Sequence, residues 1–225
     1  MKIKFLGTGA ADWGRQKEEG KEHRRLSSAL VDDVLLIDPG PWVFDAFDEY
    51  EIDYKKIKYI INTHRHSDHF NEETLNRLLC SGAEFHDLSV GEVKSFGNYE
   101  VSCYKANHPT CENSRHFIIS DGKSNLFYGL DSAWLLYDEV EAIKKKGIDF
   151  AVIDATIGFI EGDYRIFEHN NLRMVIEMKL TLEPYIKRLC ISHMARTLHT
   201  SHNELQNAMK NHNIEVAYDG LETEF

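Results

Sequence analysis

The chain has 225 residues, 42% of them hydrophobic and 28% charged, with a formal net charge of −11. That length suffices to bury a core around a rigid site, and the acidic balance disfavours general binding of a large polyanion such as nucleic acid. A small anionic substrate stays admissible, because the field of a bound metal outweighs the global charge locally.

Along the chain, short β-rich runs alternate with helical patterns. Strands are predicted at Lys2–Leu6, Ser28–Val31, Val34–Ile37, Tyr59–Asn62, Tyr99–Tyr104, His116–Ser120, Asn125–Tyr128, Phe150–Ile153 and Arg188–Ile191. Helices are predicted at Trp42–Tyr50, Asn71–Leu79, Trp134–Lys146, Asn171–Leu182 and Asn203–Lys210. Strands dominate the first half and helices become more frequent later, an order that two sheets with helices packed outside them satisfy. Four prolines and the lack of a low-complexity linker point to a single domain over 1–225. The four cysteines, Cys80, Cys103, Cys111 and Cys190, form no CxxC pair and read as reduced thiols. The opening Met1-Lys2-Ile3-Lys4-Phe5-Leu6-Gly7 has no apolar signal region, so a cytoplasmic location is expected. No stretch approaches the ~18 apolar residues of a membrane span.

The strongest signal is His64-Arg65-His66-Ser67-Asp68-His69, directly after the apolar run Tyr59–Asn62. In an extended segment residues two apart share a side, so His64 and His66 can grip one ion together. The helical opening at Asn71 demands a turn that brings Asp68 and His69 back towards the same place. Imidazoles with a carboxylate suit zinc, and also manganese or iron.

This run resembles the HxHxDH signature of the metallo-β-lactamase superfamily. Phe5-Leu6-Gly7-Thr8-Gly9 is similar to that family's first strand and turn. Leu36-Ile37-Asp38-Pro39-Gly40 is similar to its strand end before the motif, where the aspartate supports the metal loop. The resemblance implies a four-layer αββα sandwich, two mixed β-sheets flanked by helices. It also implies two divalent ions, zinc or manganese with iron admissible, and a metal-bridging hydroxide as nucleophile. Carried over, one ion is held by His64, His66, His108 and Asp131, and the other by Asp68, His69, Asp131 and His193. His108 could instead cap a turn and Asp131 a helix; His199 and His202 compete with His193 for the last place. His116, inside a strand pattern, is expected to be a buried, hydrogen-bonded histidine.

His169 stands in a place similar to that where phosphodiesterases of the superfamily, the tRNA 3′-processing endonucleases and the phosphonate-pathway cyclic phosphodiesterase, carry a non-ligating histidine that donates a proton or contacts phosphate. It is therefore assigned a catalytic role, with Asp68 orienting the attacking water. The segment Glu215–Leu221 also resembles the phosphonate-pathway branch, although Asp219-Gly220 is equally a turn signal. No cysteine precedes Cys80, so that branch's cysteine-bound zinc site is not expected near Trp13–Arg25. Arg24 and Arg25 are expected in a solvated basic turn, with contact to a substrate phosphate as the alternative; His202 is a second residue that could reach the site rim. The leading expectation is a phosphodiesterase acting on a small or cyclic diester. A lactone, ester or thioester hydrolase and an RNA-processing nuclease are the alternatives, and a non-catalytic metal-binding protein is the third class. The sequence shows no interface and leaves a homodimer open.

Overall fold

The computed structural model describes residues 1–15 and 20–225; residues 16–19, within the segment Trp13–Arg25, lie outside the described residues. One sheet is built from β1 (Lys2–Gly7), β2 (Ser28–Val31), β3 (Leu35–Ile37), β4 (Tyr59–Ile61) and β5 (Glu84–Phe85), with β13 (Glu222–Glu224) on its outer edge. Its order is β13-β1-β2-β3-β4-β5. The other sheet comprises β6 (Val93–Phe96), β7 (Tyr99–Lys105), β8 (Arg115–Ser120), β9 (Asn125–Gly129), β10 (Ile148–Asp154), β11 (Ile186–Ser192) and β12 (Ile214–Val216). These run in the order β12-β11-β10-β9-β8-β7-β6. Pairing from β6 to β9 is antiparallel and from β9 to β12 parallel, so the sheet is mixed. The first sheet is mixed as well, because β3–β4–β5 pair in parallel.

The helices are α1 (Val43–Glu49), α2 (Glu72–Cys80), α3 (Tyr137–Lys146), α4 (Leu172–Leu182) and α5 (His202–Lys210). Three apolar clusters define the layers. Phe5, Ile37, Phe117, Tyr128 and Val152 fill the space between the sheets. Leu36, Phe47, Ile60 and Leu78 join α1 and α2 to the outside of the first sheet. Phe127, Ile153, Leu172, Leu189 and Leu205 join α3, α4 and α5 to the outside of the second. A strand covered on both faces needs apolar residues at consecutive positions rather than alternate ones, as Phe150–Ile153 has. The architecture is therefore the expected αββα sandwich.

Local capping fixes several helix starts close to their expected positions. Asn71 accepts from the Thr74 amide at 2.9 Å, and Asn171 from the Met174 amide at 2.9 Å. The helix expected from Trp134 begins instead at Tyr137. The preceding residues are held by Asn107: its amide donates to Ser132 Oγ at 3.0 Å, and its carbonyl accepts from the Ala133 amide at 3.1 Å. Four strands carry no expectation: β5, β6, β12 and β13. β5, β6 and β13 are short and largely exposed, and all four are edge strands of their sheets.

Candidate metal centre

The site residues all follow the carboxyl ends of strands, which brings distant segments to one end of the sandwich. His64–His69 follow β4, His108 follows β7, Asp131 follows β9 and His193 follows β11. Asp154 closes β10, and Thr156 stands just beyond it. His169 lies after the short 3-10 turn Tyr164–Phe167.

Two clusters form around one carboxylate. His64, His66, His108 and Asp131 make the first; Asp68, His69, Asp131 and His193 make the second. Asp131 turns one oxygen to each: Oδ2 lies 3.1 Å from His64 Nε2, and Oδ1 lies 3.3 Å from His69 Nε2 and 2.7 Å from His193 Nε2. Asp68 Oδ2 is 3.5 Å from both His69 Nε2 and His193 Nε2. His108 Nε2 is 3.1 Å from His66 Nδ1. Donors bound at ~2.1 Å around one cation stand about 3–3.4 Å apart, so these spacings are those of a coordination shell.

The hydrogen bonding agrees with this reading. His64 Nδ1 meets Thr63 Oγ1 at 3.0 Å, His69 Nδ1 meets Asp38 Oδ2 at 2.7 Å, and His193 Nδ1 meets Thr156 Oγ1 at 2.8 Å. The opposite nitrogens, Nε2 of all three rings, are buried without a hydrogen-bond partner among the described residues, as is Asp131 Oδ1. An unpartnered buried polar atom costs ~1–3 kcal/mol. Four of them gathered about Asp131 suit a divalent cation, which takes neutral imidazole lone pairs and carboxylate oxygens. The donor set fits zinc, manganese or iron.

Electrostatics divide the histidines. Burial pushes His64 down and His108 down to about 4, which leaves both neutral at physiological pH. Burial also opposes charge on His69 and His193, but Asp131 overrides it and lifts both well above the usual histidine value. Burial resists ionisation of Asp131, yet His193, His69 and His64 hold it well below the usual carboxylate range. Three of these site residues, Asp38, Asp131 and His193, have φ of 62°, 54° and 61°. Non-glycine residues in that left-handed region are uncommon and concentrate at functional sites.

Behind the second cluster lies a layer that left no mark in the sequence reading. Asp154 Oδ2 is 2.9 Å from His169 Nδ1 and accepts from Thr156 Oγ1 at 2.8 Å; Thr156 Oγ1 is 3.1 Å from His169 Nδ1. The His169 ring stacks on His193, with centroids 5.5 Å apart. The Glu168 carbonyl accepts from His108 Nδ1 at 3.3 Å, so one turn steadies the first cluster and carries His169. Asp154, Thr156 and Glu168 were not singled out. The available signal was an acidic residue closing the apolar run Phe150–Ile153, the same placement that marks the ligands.

A cavity of about 290 Å³ opens on the clusters, with His66, Asp68, His108, Asp131, His169 and His193 in its floor and Asp12, Thr110, Tyr164 and Arg165 in its walls. Arg24, Arg25 and His202 are not among its lining residues. Both arginines are buried rather than solvated, which corrects the expected basic turn. Arg24 donates to Thr8 Oγ1 at 2.6 Å and to the Ala217 carbonyl at 2.8 Å, and its Nη2 is 3.2 Å from His202 Nδ1. Arg25 meets Tyr50 and Glu49, and its amide donates to Asp219 Oδ2 at 2.5 Å. Asp219 thus ties the C-terminal loop to the β1–β2 connection. Asp131 caps no helix, since α3 is capped at Leu136. His199 points away from the clusters, with Nε2 2.6 Å from the Ala155 carbonyl. His116 is buried and hydrogen-bonded, as expected.

Residues 27–71, a stretch holding Asp38 and the whole run His64–His69, match the family model of the metallo-beta-lactamase superfamily. No curated protein sequence matches the chain. Among solved structures it is similar to the metallo-beta-lactamase fold protein YhfI from Bacillus subtilis, with TM-score 0.78 and 15% identity over 100% of this chain and 99% of that one. A diphosphatase from the PhnP family matches with TM-score 0.75 and 19% identity, over 100% of this chain and 97% of that one. The short form of human tRNase Z matches with TM-score 0.69 and 15% identity, over 100% and 99%. The chain has the metallo-β-lactamase fold, and its residues 27–71 match the model of that superfamily.

Proposed function

We propose that residues 1–225 form one hydrolase domain that cleaves small phosphate diesters with two divalent ions. One ion is assigned to His64, His66, His108 and Asp131, the other to Asp68, His69, Asp131 and His193, with zinc or manganese as the metal. The observation that carries this reading is the set of unpartnered Nε2 atoms converging on a carboxylate that faces both clusters. When bound, such a pair supplies Lewis acidity for two non-bridging phosphate oxygens and lowers the pKa of an attacking water.

The chain's own groups complete the chemistry. Asp68 stays ionised: burial resists its charge, but His69 and His193 hold it below the usual carboxylate range. It can therefore accept a proton from, and orient, an attacking water. With Nδ1 held at Asp154, His169 has Nε2 left to act. Burial pulls its pKa down, but Asp154 more than compensates and raises it, which favours the imidazolium form that a departing alkoxide needs. A diester offers two non-bridging oxygens to the metal pair and an alkoxide leaving group to His169, and the two features together favour a diester. The cavity volume and the acidic net charge favour a small substrate over a long RNA.

The test uses bis(p-nitrophenyl) phosphate with Mn2+ or Zn2+. Turnover is expected; on a nucleoside 2′,3′-cyclic phosphate, whose leaving alkoxide needs a proton that p-nitrophenolate does not, His169→Ala should lower kcat about 100-fold or more while leaving the bound metal unchanged. Equal rates in the two proteins would remove the diester-specific assignment. Lactone hydrolysis without diester cleavage would select the other reading.

A further inference from the structure

His116 and Glu139 are both ionisable and both almost fully buried, at 0% and 1% exposure, yet neither lines the cavity. His116 projects from β8, and its Nδ1 is hydrogen-bonded to Glu139 Oε1. Its Nε2 lies 3.2 Å from the Leu130 carbonyl. The second Glu139 oxygen accepts from the Leu136 amide at 2.8 Å, at the start of α3. A buried ion pair of this kind is seldom needed for stability, because apolar residues of similar volume do as well. Its directional bonds therefore call for another account.

The two contacts bracket the seven-residue connection from β9 to α3, and that connection carries Asp131. On its other side the connection is bound to Asn107, next to His108, through Ser132 and Ala133. Asp131 has φ 54°, in the left-handed region that is uncommon for residues other than glycine. A carbonyl can only accept, so His116 must carry its proton on Nε2 towards Leu130. One further proton then lies between Nδ1 and Glu139, whichever of the two holds it. The ring is thereby fixed at both nitrogens.

We infer that His116, its ring oriented by Glu139, is a positioning residue for Asp131: its Nε2 holds the Leu130 carbonyl and so aims one Asp131 oxygen into each cluster. This rests on the metal assignment above and extends it to residues that touch neither metal nor substrate.

Two substitutions divide the ring's functions. In His116→Gln the amide reaches the Nε2 position and keeps a donor for Leu130. In His116→Asn the amide reaches only the Nδ1 position and keeps a partner for Glu139. Mn2+ affinity and stoichiometry, read by titration calorimetry on the metal-stripped chain, should be within a few-fold of wild type for His116→Gln. They should fall about 10- to 100-fold in affinity for His116→Asn, with the second equivalent lost first. A merely structural pair predicts the reverse order, since His116→Gln leaves Glu139 buried without its partner. The reverse order, or wild-type binding by both, overturns the inference. If neither protein folds, Glu139→Gln decides: its amide can donate to Nδ1 while its carbonyl accepts from Leu136, so unchanged Mn2+ affinity is expected, and tenfold weaker binding or a failure to fold overturns it. Binding is read without substrate, so a wild-type chain that takes two ions but leaves diesters intact refutes the proposed activity and not this pair.

Discussion

At the scale of single residues, the Asp38 carboxylate is committed wholly to the metal loop. It meets His69 Nδ1 at 2.7 Å, accepts from the Thr63 amide at 2.7 Å and from Asn62 Nδ2 at 2.9 Å, and takes the Thr63 hydroxyl as well. Thr63 Oγ1 in turn meets His64 Nδ1. One carboxylate therefore sets the tautomer of a ring in each cluster. Asp38→Ala should weaken Mn2+ binding about 10- to 100-fold, measured by calorimetric titration; unchanged affinity would show that the rings orient without it. The seven proposed ligands, which the structure gathers into two clusters, could be picked out because each follows a recognisable strand at its polar end. Asp154 closes a strand as well, but that placement does not tell an acid that supports ligands from one that binds metal. Arg24 and Arg25 misled for a different reason. Two adjacent arginines in a polar stretch look solvated, and their partners Thr8, Ala217 and Asp219 lie in segments whose approach depends on the closed fold.

At the scale of elements, the site depends on how tightly the β3–α1 turn packs beneath the β4–α2 loop. A Cβ placed on Gly40 would lie 2.9 Å from the Asp68 carbonyl oxygen, and the Asn71 amide donates to the Pro39 carbonyl at 2.9 Å. Backbone cannot yield there without moving Asp68 and His69. Gly40→Ala should cost about 1–3 kcal/mol of stability, read as a lowered unfolding midpoint, with weaker metal binding alongside. A midpoint equal to wild type would mean that the loop relaxes freely. Interior strands such as β10 and β11 were legible because burial on both faces demands continuous apolar runs. β13, with the sequence Glu222-Thr223-Glu224, was not: it is bound to the sheet through its backbone pairing with β1. The start of α3 was placed too early because Asn107 holds Ser132 and Ala133, a contact between segments that periodicity does not register.

Across the whole molecule, pH should act through buried groups remote from the clusters. Burial pushes His202 down to about 4. An unfolded chain binds that proton near pH 6.5, whereas the folded chain resists it. Its contribution to stability is thus complete above pH 6.5 and is lost as pH falls towards 4. Asp219 acts in the opposite sense: burial raises it to about 6, so the folded state takes up a proton first and gains stability as pH falls through that value. Because the two oppose each other, the test is a difference: as pH falls from 6.5 to 4 the unfolding midpoint of metal-stripped His202→Gln should rise relative to that of the wild-type chain. An unaltered slope in the variant would deny His202 a part in the pH dependence. Among the described residues no helix is long and apolar enough to cross a membrane.

The claim on which the account rests is that distant strand ends hold two cations on one shared carboxylate. Anomalous diffraction from crystals of the Mn2+-loaded chain tests it most directly. Two manganese peaks are expected, one beside His64, His66 and His108, the other beside Asp68, His69 and His193, with Asp131 reaching both. No peak at either cluster, or manganese bound without Asp131, would contradict it.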